Sequence, residues 1–395
     1  MKKIAIVGRG TVGCLSVAHY LRYTDWTIDW IYDPLIETTP VGEGTNLTFP
    51  KSLRETLGFS NVDLDNVNSI PKLGIWKRNW GKGKEFIHTF LAGEHGLHFN
   101  AIQLQDYIFD KLKNNSRINL VESNIPHHDS IDSDYVMMCT GSPKDLTQDY
   151  NVRRHIPVNS AIVFQCPWEL PKFFYSLTFA KKFGWVFGIP LKNRCAIGYV
   201  YNDQYCTEEE IKNEVQDILN EFKLIPTATR KLKFRNYSRK KNFDGRVCFN
   251  GNASYFLEPL EATSTGFSDY VNRLSLDLWK FKELNEEQVN YFYNREIDET
   301  ESMICLHYFS GSIYNNDFWQ YAKSMGEDNI RKSFENKTDF LKIIKTALDN
   351  KTSENPYLNA SKRGIGSWQV YNYIQNIKNL EIDNELQNLI REYDV

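Results

Sequence analysis

The chain has 395 residues, a net charge of −3 with a pI near 6.3, and a composition that is 41% apolar and 14% aromatic. That length allows one large domain or two to three ordinary ones, and the apolar share is enough for a real core, so disorder is not the default expectation. The basic residues are not clustered and no stretch approaches the roughly 20 apolar residues that span a bilayer, which excludes a nucleic-acid footprint and a membrane span. Seven cysteines, Cys14, Cys139, Cys166, Cys195, Cys206, Cys248 and Cys305, are scattered without a C-x-x-C pair. Their odd number and irregular spacing argue against a disulfide framework or a zinc site and suit a reducing cytoplasm.

The N-terminal run Lys2–Val7 has the β-branched composition of a buried parallel strand. Two lysines before an apolar run superficially resemble a signal peptide, but Gly8 breaks the run after about five residues. Gly8-Arg9-Gly10-Thr11-Val12-Gly13 fits G-x-G-x-x-G. Gly8 permits the tight turn, Gly10 lets the backbone approach a pyrophosphate, and Gly13 lets a helix over Thr11 to Leu21 pack on the strand. That helix presents its first N–H groups, Thr11 and Val12 among them, to the phosphates. A second strand, Thr27–Tyr32, ends at Asp33, placed to hold a ribose hydroxyl. The pattern predicts dinucleotide binding; a glycine turn that serves packing alone is the alternative. Val41-Gly42-Glu43-Gly44-Thr45 follows, a loop that brings backbone close to a ring system or an ordinary turn, with nothing to choose between them.

Lys51–Leu57 reads as a short helix, and Lys72–Trp80 and Glu85–Leu91 as aromatic-rich strands. Gln103–Lys113 reads as an amphipathic helix. Tyr135–Cys139 reads as a buried strand whose Thr140-Gly141-Ser142 turn falls at the carboxyl edge of a doubly wound sheet, where ligands bind. From Ser142 to Tyr237 strands dominate: Ser160–Gln165, Phe173–Phe179, Gly184–Ile189 and Cys195–Tyr201, with a charged surface helix over Thr207–Phe222. The nucleotide fold resumes at Arg246–Asn250 and Gly251-Asn252-Ala253, and after Ser268 the chain reads as helices. No repeat or low-complexity linker separates these parts, so the expected body is interleaved. Its FAD-type segments are 1–60, 92–150 and 238–285, its β-rich cover 61–91 and 151–237, and its helical part 286–395.

The second dense stretch is Gly251 to Phe267. Gly251-Asn252-Ala253 before a small-residue helix start suits phosphate or ribityl groups. Glu258 and Glu261 flank a Pro-Leu pair. Glu261 stands before Ala-Thr-Ser, where it is a helix cap or a base, and spacing alone favours the cap.

With these blocks in place, Lys2 to Lys323 resembles the flavin-dependent halogenases, the tryptophan-halogenase-like family. Gly8–Gly13 and Val41–Thr45 resemble its two flavin loops, Lys72–Trp80 the strand that starts at its catalytic lysine, and His98-Phe99-Asn100-Ala101 its H-F-D-A turn. Trp185–Pro190 resembles its W-x-W-x-I-P signature with Phe187 in place of the second tryptophan. Glu258–Ser264 resembles its E-P-L-E-(S/A)-T block, and Leu306-His307-Tyr308 with Asp317-Phe318-Trp319 a late core segment.

The resemblance implies an α/β, FAD-binding Rossmann-like fold of the GR2/monooxygenase type, with a β-rich substrate layer and a helical C-terminal part. It implies FAD supplied as FADH2 by a separate reductase, dioxygen, a halide ion and a small aromatic substrate. In that chemistry a flavin C4a-hydroperoxide oxidises halide to hypohalous acid. Lys72, partly desolvated, delivers the acid to the ring, by hydrogen bonding or as a haloamine, and Glu261 orients Lys72 and accepts the ring proton. The implied cofactor residues are Gly8, Gly10, Thr11, Val12, Gly13, Asp33, Gly42, Glu43, Gly44, Thr45, Gly251, Asn252 and Trp185. Thr263 and Ser264 are the implied halide residues, and no metal is expected.

The competing reading of Lys72 is a solvated surface lysine. His98 either packs near the flavin or is structural, and His307 is read as structural. Trp185 with Phe187 forms a wall beside the cofactor or ordinary core. Phe187 removes a tryptophan associated with suppressing simple hydroxylation. About 70 residues follow Lys323, fewer than in family members acting on free tryptophan. An open pocket for an indole- or phenol-like ring, with bromide or iodide preferred over chloride, is therefore expected. A flavin-dependent aromatic hydroxylase and a non-catalytic flavin-binding protein are the alternatives. The location expected is cytoplasmic, with no membrane or nucleic-acid partner and homo-oligomerisation left open. The Asn, Lys, Ile and Tyr bias is that of an AT-rich genome, a phage or marine-bacterial source included.

Overall fold

Four of the five residues in the strand Lys3–Val7, Ile4 to Val7, have no solvent exposure: parallel strands flank it on both sides, the helix Thr11–Tyr23 packs against it, and Ala5 and Val7 join a buried cluster with Ile31, Ile131, Val136, Met138 and Val247. The computed structural model describes residues 1–36, 43–90, 93–124, 127–352 and 368–393. The chain divides into two units. The first comprises Met1–Pro71, Gly96–Val152 and Tyr237–Arg295, and the second Lys72–His95, Arg153–Asn236 and Glu296–Val395.

The first unit is built on a six-stranded sheet in the order Phe243–Asp244, Val247–Phe249, Tyr135–Met138, Lys3–Val7, Thr27–Tyr32, Ile118–Glu122. All neighbours pair in parallel except the first two strands. Lys3–Val7 is central, with Ile4 opposite Ile28 on one side and Tyr135 on the other. The strand order reverses around it, the position where ligands bind beyond the carboxyl ends of the strands. The first helix spans Thr11–Tyr23, one half-turn longer than its sequence pattern, and ends where Thr24 Oγ1 and its N–H both bond to Tyr20 O. The helix expected at Lys51–Leu57 begins at Thr48, since Pro50 is tolerated in a first turn. The one expected at Gln103–Lys113 spans Ala101–Leu112, because Asn100 caps it, accepting from the Ile102 and Gln103 N–H groups.

The second unit holds a seven-stranded sheet in the order Ala228–Lys233, Ser160–Pro167, Arg194–Tyr201, Gly184–Pro190, Ser176–Lys181, Gly74–Arg78, Phe86–Thr89. Pairing is antiparallel except between Ser176–Lys181 and Gly74–Arg78. The helix Glu208–Glu221 opens with a reciprocal Thr207–Glu210 capping box and lays Ile211, Val215, Ile218 and Leu219 on one face of this sheet. It is a surface helix as its charge pattern predicts, yet its inner stripe is core. Phe187 and Lys77 stand on the opposite face. The strand expected at Phe173–Phe179 begins only at Ser176.

Among the described residues, the chain from Ser264 on is mainly helical: Ser264–Leu276, Glu286–Ser310, Asp317–Glu335, Asp339–Asp349, Val370–Leu380 and Asp383–Tyr393. No helix of the described residues is long and apolar enough to cross a membrane. All seven cysteines are free thiols.

Candidate active site

At the carboxyl ends of the first unit's strands lies a cavity of about 350 Å³. Gly8, Arg9, Gly10, Thr11 and Val12 form one wall, Tyr32, Asp33 and Ile36 a second, and Cys139 to Ser142 a third. Asn250, Gly251, Asn252 and Tyr255 with Ser264, Thr265 and Ser268 close it. The sequence-predicted residues Gly8, Gly10, Thr11, Val12, Asp33, Gly251, Asn252 and Ser264 therefore share one cavity.

The glycines act as the pattern requires. Gly8 has φ +120°, and a Cβ on it would stand 2.3 Å from the carbonyl oxygen of Cys139. A Cβ on Gly13 would stand 2.1 Å from the oxygen of Gly8, so Gly13 sets how closely the helix approaches the strand. Gly251, at φ +59°, is pinned by a buried amide network. Its N–H donates to Asn250 Oδ1 at 2.8 Å, while Asn250 Nδ2 donates to Ser268 O and to Asn272 Oδ1, both at 3.1 Å. Ser16 Oγ donates to the same Asn272 oxygen at 2.9 Å, and Gln105 Nε2 fixes Thr11 Oγ1 at 2.9 Å. Both glycine-bearing turns are thereby tied to the helix Ser264–Leu276 or its neighbours.

Two helix starts, at Thr11 and Ser264, border the cavity without a side-chain cap at Gly10 or Thr263. Their first N–H groups are donors suited to phosphate oxygens. Thr265 is 5% exposed, and its hydroxyl has no hydrogen-bond partner among the described residues although it borders the cavity. A buried hydroxyl left unmade costs free energy, so a ligand that bonds to it is favoured. Uncapped N–H groups, an orphaned hydroxyl and the second-strand acid Asp33 fit the pyrophosphate and sugar of a flavin dinucleotide. Burial pushes the Cys139 thiol up to about 12, which keeps this cavity-facing group protonated and inert near neutrality.

Other predicted residues fall elsewhere. Gly42 lies outside the described residues. Glu43, Gly44 and Thr45 pack against the strand Gly96–His98: Gly44 bridges His98, Phe99 N–H donates to Glu43 O, and Leu97 N–H donates to Thr45 Oγ1 at 2.8 Å. They are not among the cavity's lining residues. Thr263 is the buried residue preceding the helix Ser264–Leu276. The cap favoured for Glu261 is not what it forms, since the helix starts three residues later and Glu261 lies at φ +72°, followed by Ala262 at +53°. Two successive non-glycine residues in the left-handed region store strain of roughly 1–2 kcal/mol each. Such strain is typical of functional loops.

In the second unit, Lys72 ends the strand Ile70–Lys72 and is 2% exposed, its Nζ 5.8 Å from the Phe90 ring centre. The surface-lysine reading does not hold. Trp185 is buried at 2%, 6.1 Å from Phe187 between ring centres. Phe187 lies over Gly198 of the paired strand, where a Cβ would meet its Cζ at 2.0 Å. Lys77, unexposed, donates to Asn376 Oδ1 at 2.9 Å and bonds His307 Nε2 at 2.5 Å, which makes His307 part of a structural cluster.

Sequence reasoning missed Arg9, Gln105, Asn250, Thr265 and Ser268. Arg9 and Thr265 stand at positions the motifs leave open. Gln105 and Ser268 lie inside helices, with no local signal. Asn250, directly before Gly251, was within reach as a strand-end polar residue.

A parallel sheet whose glycine turn, second-strand acid and distal helix start meet in one cavity defines a Rossmann-like fold of the FAD-binding type. The family model described as tryptophan halogenase matches residues 3–140 and 111–354. The chain belongs to the tryptophan halogenase family. It is 28% identical over 157 residues to tryptophan 7-halogenase RebH of Lentzea aerocolonigenes, covering 38% of this chain and 29% of that protein. It is 24% identical over 217 residues to tryptophan 6-halogenase SttH of Streptomyces toxytricini, covering 50% and 40%. The chain thus spans less than half the length of these curated relatives. The solved SttH structure superposes with a TM-score of 0.75 at 17% identity, covering all of this chain and 96% of that one. A tryptophan halogenase from Shewanella frigidimarina gives 0.76 at 15%, covering 100% and 93%.

Proposed function

We propose that the chain is an FADH2-dependent halogenase that places bromide, iodide or chloride on an electron-rich, indole- or phenol-like ring, using reduced flavin from a separate reductase. The cavity residues Gly8 to Val12, Asp33, Gly251, Asn252 and Thr265 hold the dinucleotide. Thr263 and Ser264, at an uncapped helix start, hold the halide by backbone N–H groups. Reduced flavin with dioxygen supplies the two-electron oxidation of halide to hypohalous acid. The overall balance is ArH, halide, one proton, FADH2 and O2 giving ArX, FAD and two waters.

The halogenation step falls to two side chains. Lys72 Nζ donates to the oxygen of the hypohalous acid, which draws charge from the halogen–oxygen bond. The carbon–halogen bond forms as that bond breaks, and the oxygen leaves as water with the Nζ proton. The ring proton passes to the Glu261 carboxylate. The 2% exposure of Lys72 is the observation that carries this reading. Burial holds the ammonium out of bulk water, the partly desolvated state that delivery of the acid requires. A hydroxylase, by contrast, has no use for an ammonium at this place.

The test is mass spectrometry of products from protein, FAD, a flavin reductase, NADH, oxygen and bromide with a panel of indoles and phenols. A bromine isotope doublet is expected. A gain of one oxygen without bromine would mean hydroxylation, and flavin binding without any product would mean a non-catalytic flavoprotein.

A further inference from the structure

Arg9 occupies a variable position of the glycine fingerprint, yet its side chain is held in place. Its guanidinium carbon lies 3.9 Å from the ring centre of Phe109 and 5.7 Å from that of Tyr32, a stacked arrangement on two aromatic faces. Nη2 donates to Asp106 Oδ1 at 3.1 Å, and Asp106 lies in the helix Ala101–Leu112 with Phe109. Arg9 borders the same cavity as Tyr32 and Asp33 and is 35% exposed. A guanidinium has five N–H donors, and among the described residues only the one bond to Asp106 engages them. The cation is thus fixed in direction, partly desolvated and short of acceptors.

In a sheet of this topology the pyrophosphate sits at the first helix start and the adenosine ribose beside the acid that ends the second strand. Arg9 lines the same cavity as the residues that mark these two places, Gly10 and Asp33. The acceptors it lacks are what an adenosine diphosphate moiety carries: anionic phosphate oxygens for the fork of N–H groups and a flat purine for the guanidinium face.

Resting on the flavin reading above, we infer that Arg9 is a specificity residue that holds the adenosine-diphosphate half of the cofactor and makes the protein select FAD over FMN. Phe109 and Asp106 pre-organise it, so little side-chain freedom is lost on binding. Asp33 complements it on the sugar.

The experiment titrates FAD, FMN and ADP against the full chain and its Arg9→Met, Arg9→Lys and Asp106→Asn variants, following intrinsic tryptophan fluorescence for FAD and FMN, and displacement of FAD for ADP. Arg9→Met keeps the apolar stem on Phe109 and removes every donor. It should weaken FAD and ADP roughly tenfold, about 1.4 kcal/mol, and leave FMN within twofold. Arg9→Lys should fall between, since charge remains without the plane, and Asp106→Asn should cost FAD less than Arg9→Met. Equal weakening of FAD and FMN, or unchanged ADP affinity, would overturn the inference. Should Arg9→Met fail to fold, Arg9→Lys decides it by the same FAD-to-FMN ratio. An unmodified chain that takes up no flavin at all overturns the flavin reading instead, a distinct result.

Discussion

Replacing Gly13 by alanine isolates the contact that sets the cofactor cradle. The added Cβ would stand 2.1 Å from Gly8 O and 2.8 Å from Gly8 C. Both obstacles are backbone, and Gly8 N–H is tied to Ile31 O at 2.8 Å, so the turn cannot yield cheaply. Relief to a tolerable 3 Å needs the helix Thr11–Tyr23 to retreat by about 1 Å. Overpacking of this kind costs about 2 kcal/mol, a fall in melting temperature of roughly 2–5 °C. The retreat also withdraws the Thr11 and Val12 N–H groups from the pyrophosphate position proposed above. Losing one charge-assisted hydrogen bond there corresponds to roughly 10- to 100-fold weaker FAD binding. Calorimetric melting and flavin titration measure both. Gly58→Ala is the control: it stands at φ +64° with open space around it, so it should cost about 1 kcal/mol without touching flavin affinity. A Gly13→Ala protein with wild-type FAD affinity and melting within 1 °C or so would refute the packing argument.

Thr265→Val keeps the shape and removes the orphaned hydroxyl, so the apo protein should be as stable or more stable while FAD affinity falls about tenfold; thermal melting with and without FAD measures both, and an unchanged affinity would remove Thr265 from the site. Lys77→Met removes the donor shared by His307 and Asn376 and should cost about 2–3 kcal/mol in urea unfolding; a neutral effect would show that the cluster is not structural. His155 is held between Glu301, at 3.2 Å from Nδ1, and Asp328, at 3.1 Å from Nε2. The bond to Glu301 chiefly, and the charge of both carboxylates, raise its pKa above 6.5 against burial and the opposing charge of Lys332. A raised folded-state value means stabilisation that is complete below about pH 6.5 and lost as pH climbs through the folded value. The melting gap between the unmodified protein and His155→Gln should therefore be larger at pH 6 than at pH 9, and a gap that is flat or grows with pH would contradict it.

The parallel core was legible because composition and glycine placement act locally. Thr27–Tyr32 matches its observed span, and Lys3–Val7 differs from its expected bounds by one residue. Element ends fixed by side chains just outside the pattern, such as Asn100 and Pro50, shifted by two or three residues. The cavity was half legible. Asp33, Gly251 and Ser264 announce themselves by motif, while Thr265 and Arg9 are distinguished only by what surrounds them in space. Spacing alone favours a helix cap at Glu261 because it carries no information on the left-handed turn that holds the residue. Burial of Lys72 could not be read from a chain with 47 basic residues.

The halogen-delivery role of Lys72 is tested most directly by comparing the unmodified protein with Lys72→Ala under saturating FADH2, oxygen and bromide, measuring ring bromination by mass spectrometry and flavin reoxidation by absorbance in the same vessel. The account predicts that Lys72→Ala loses bromination by roughly 100-fold or more while flavin reoxidation continues. Lys72→Ala that brominates at the full rate would contradict it.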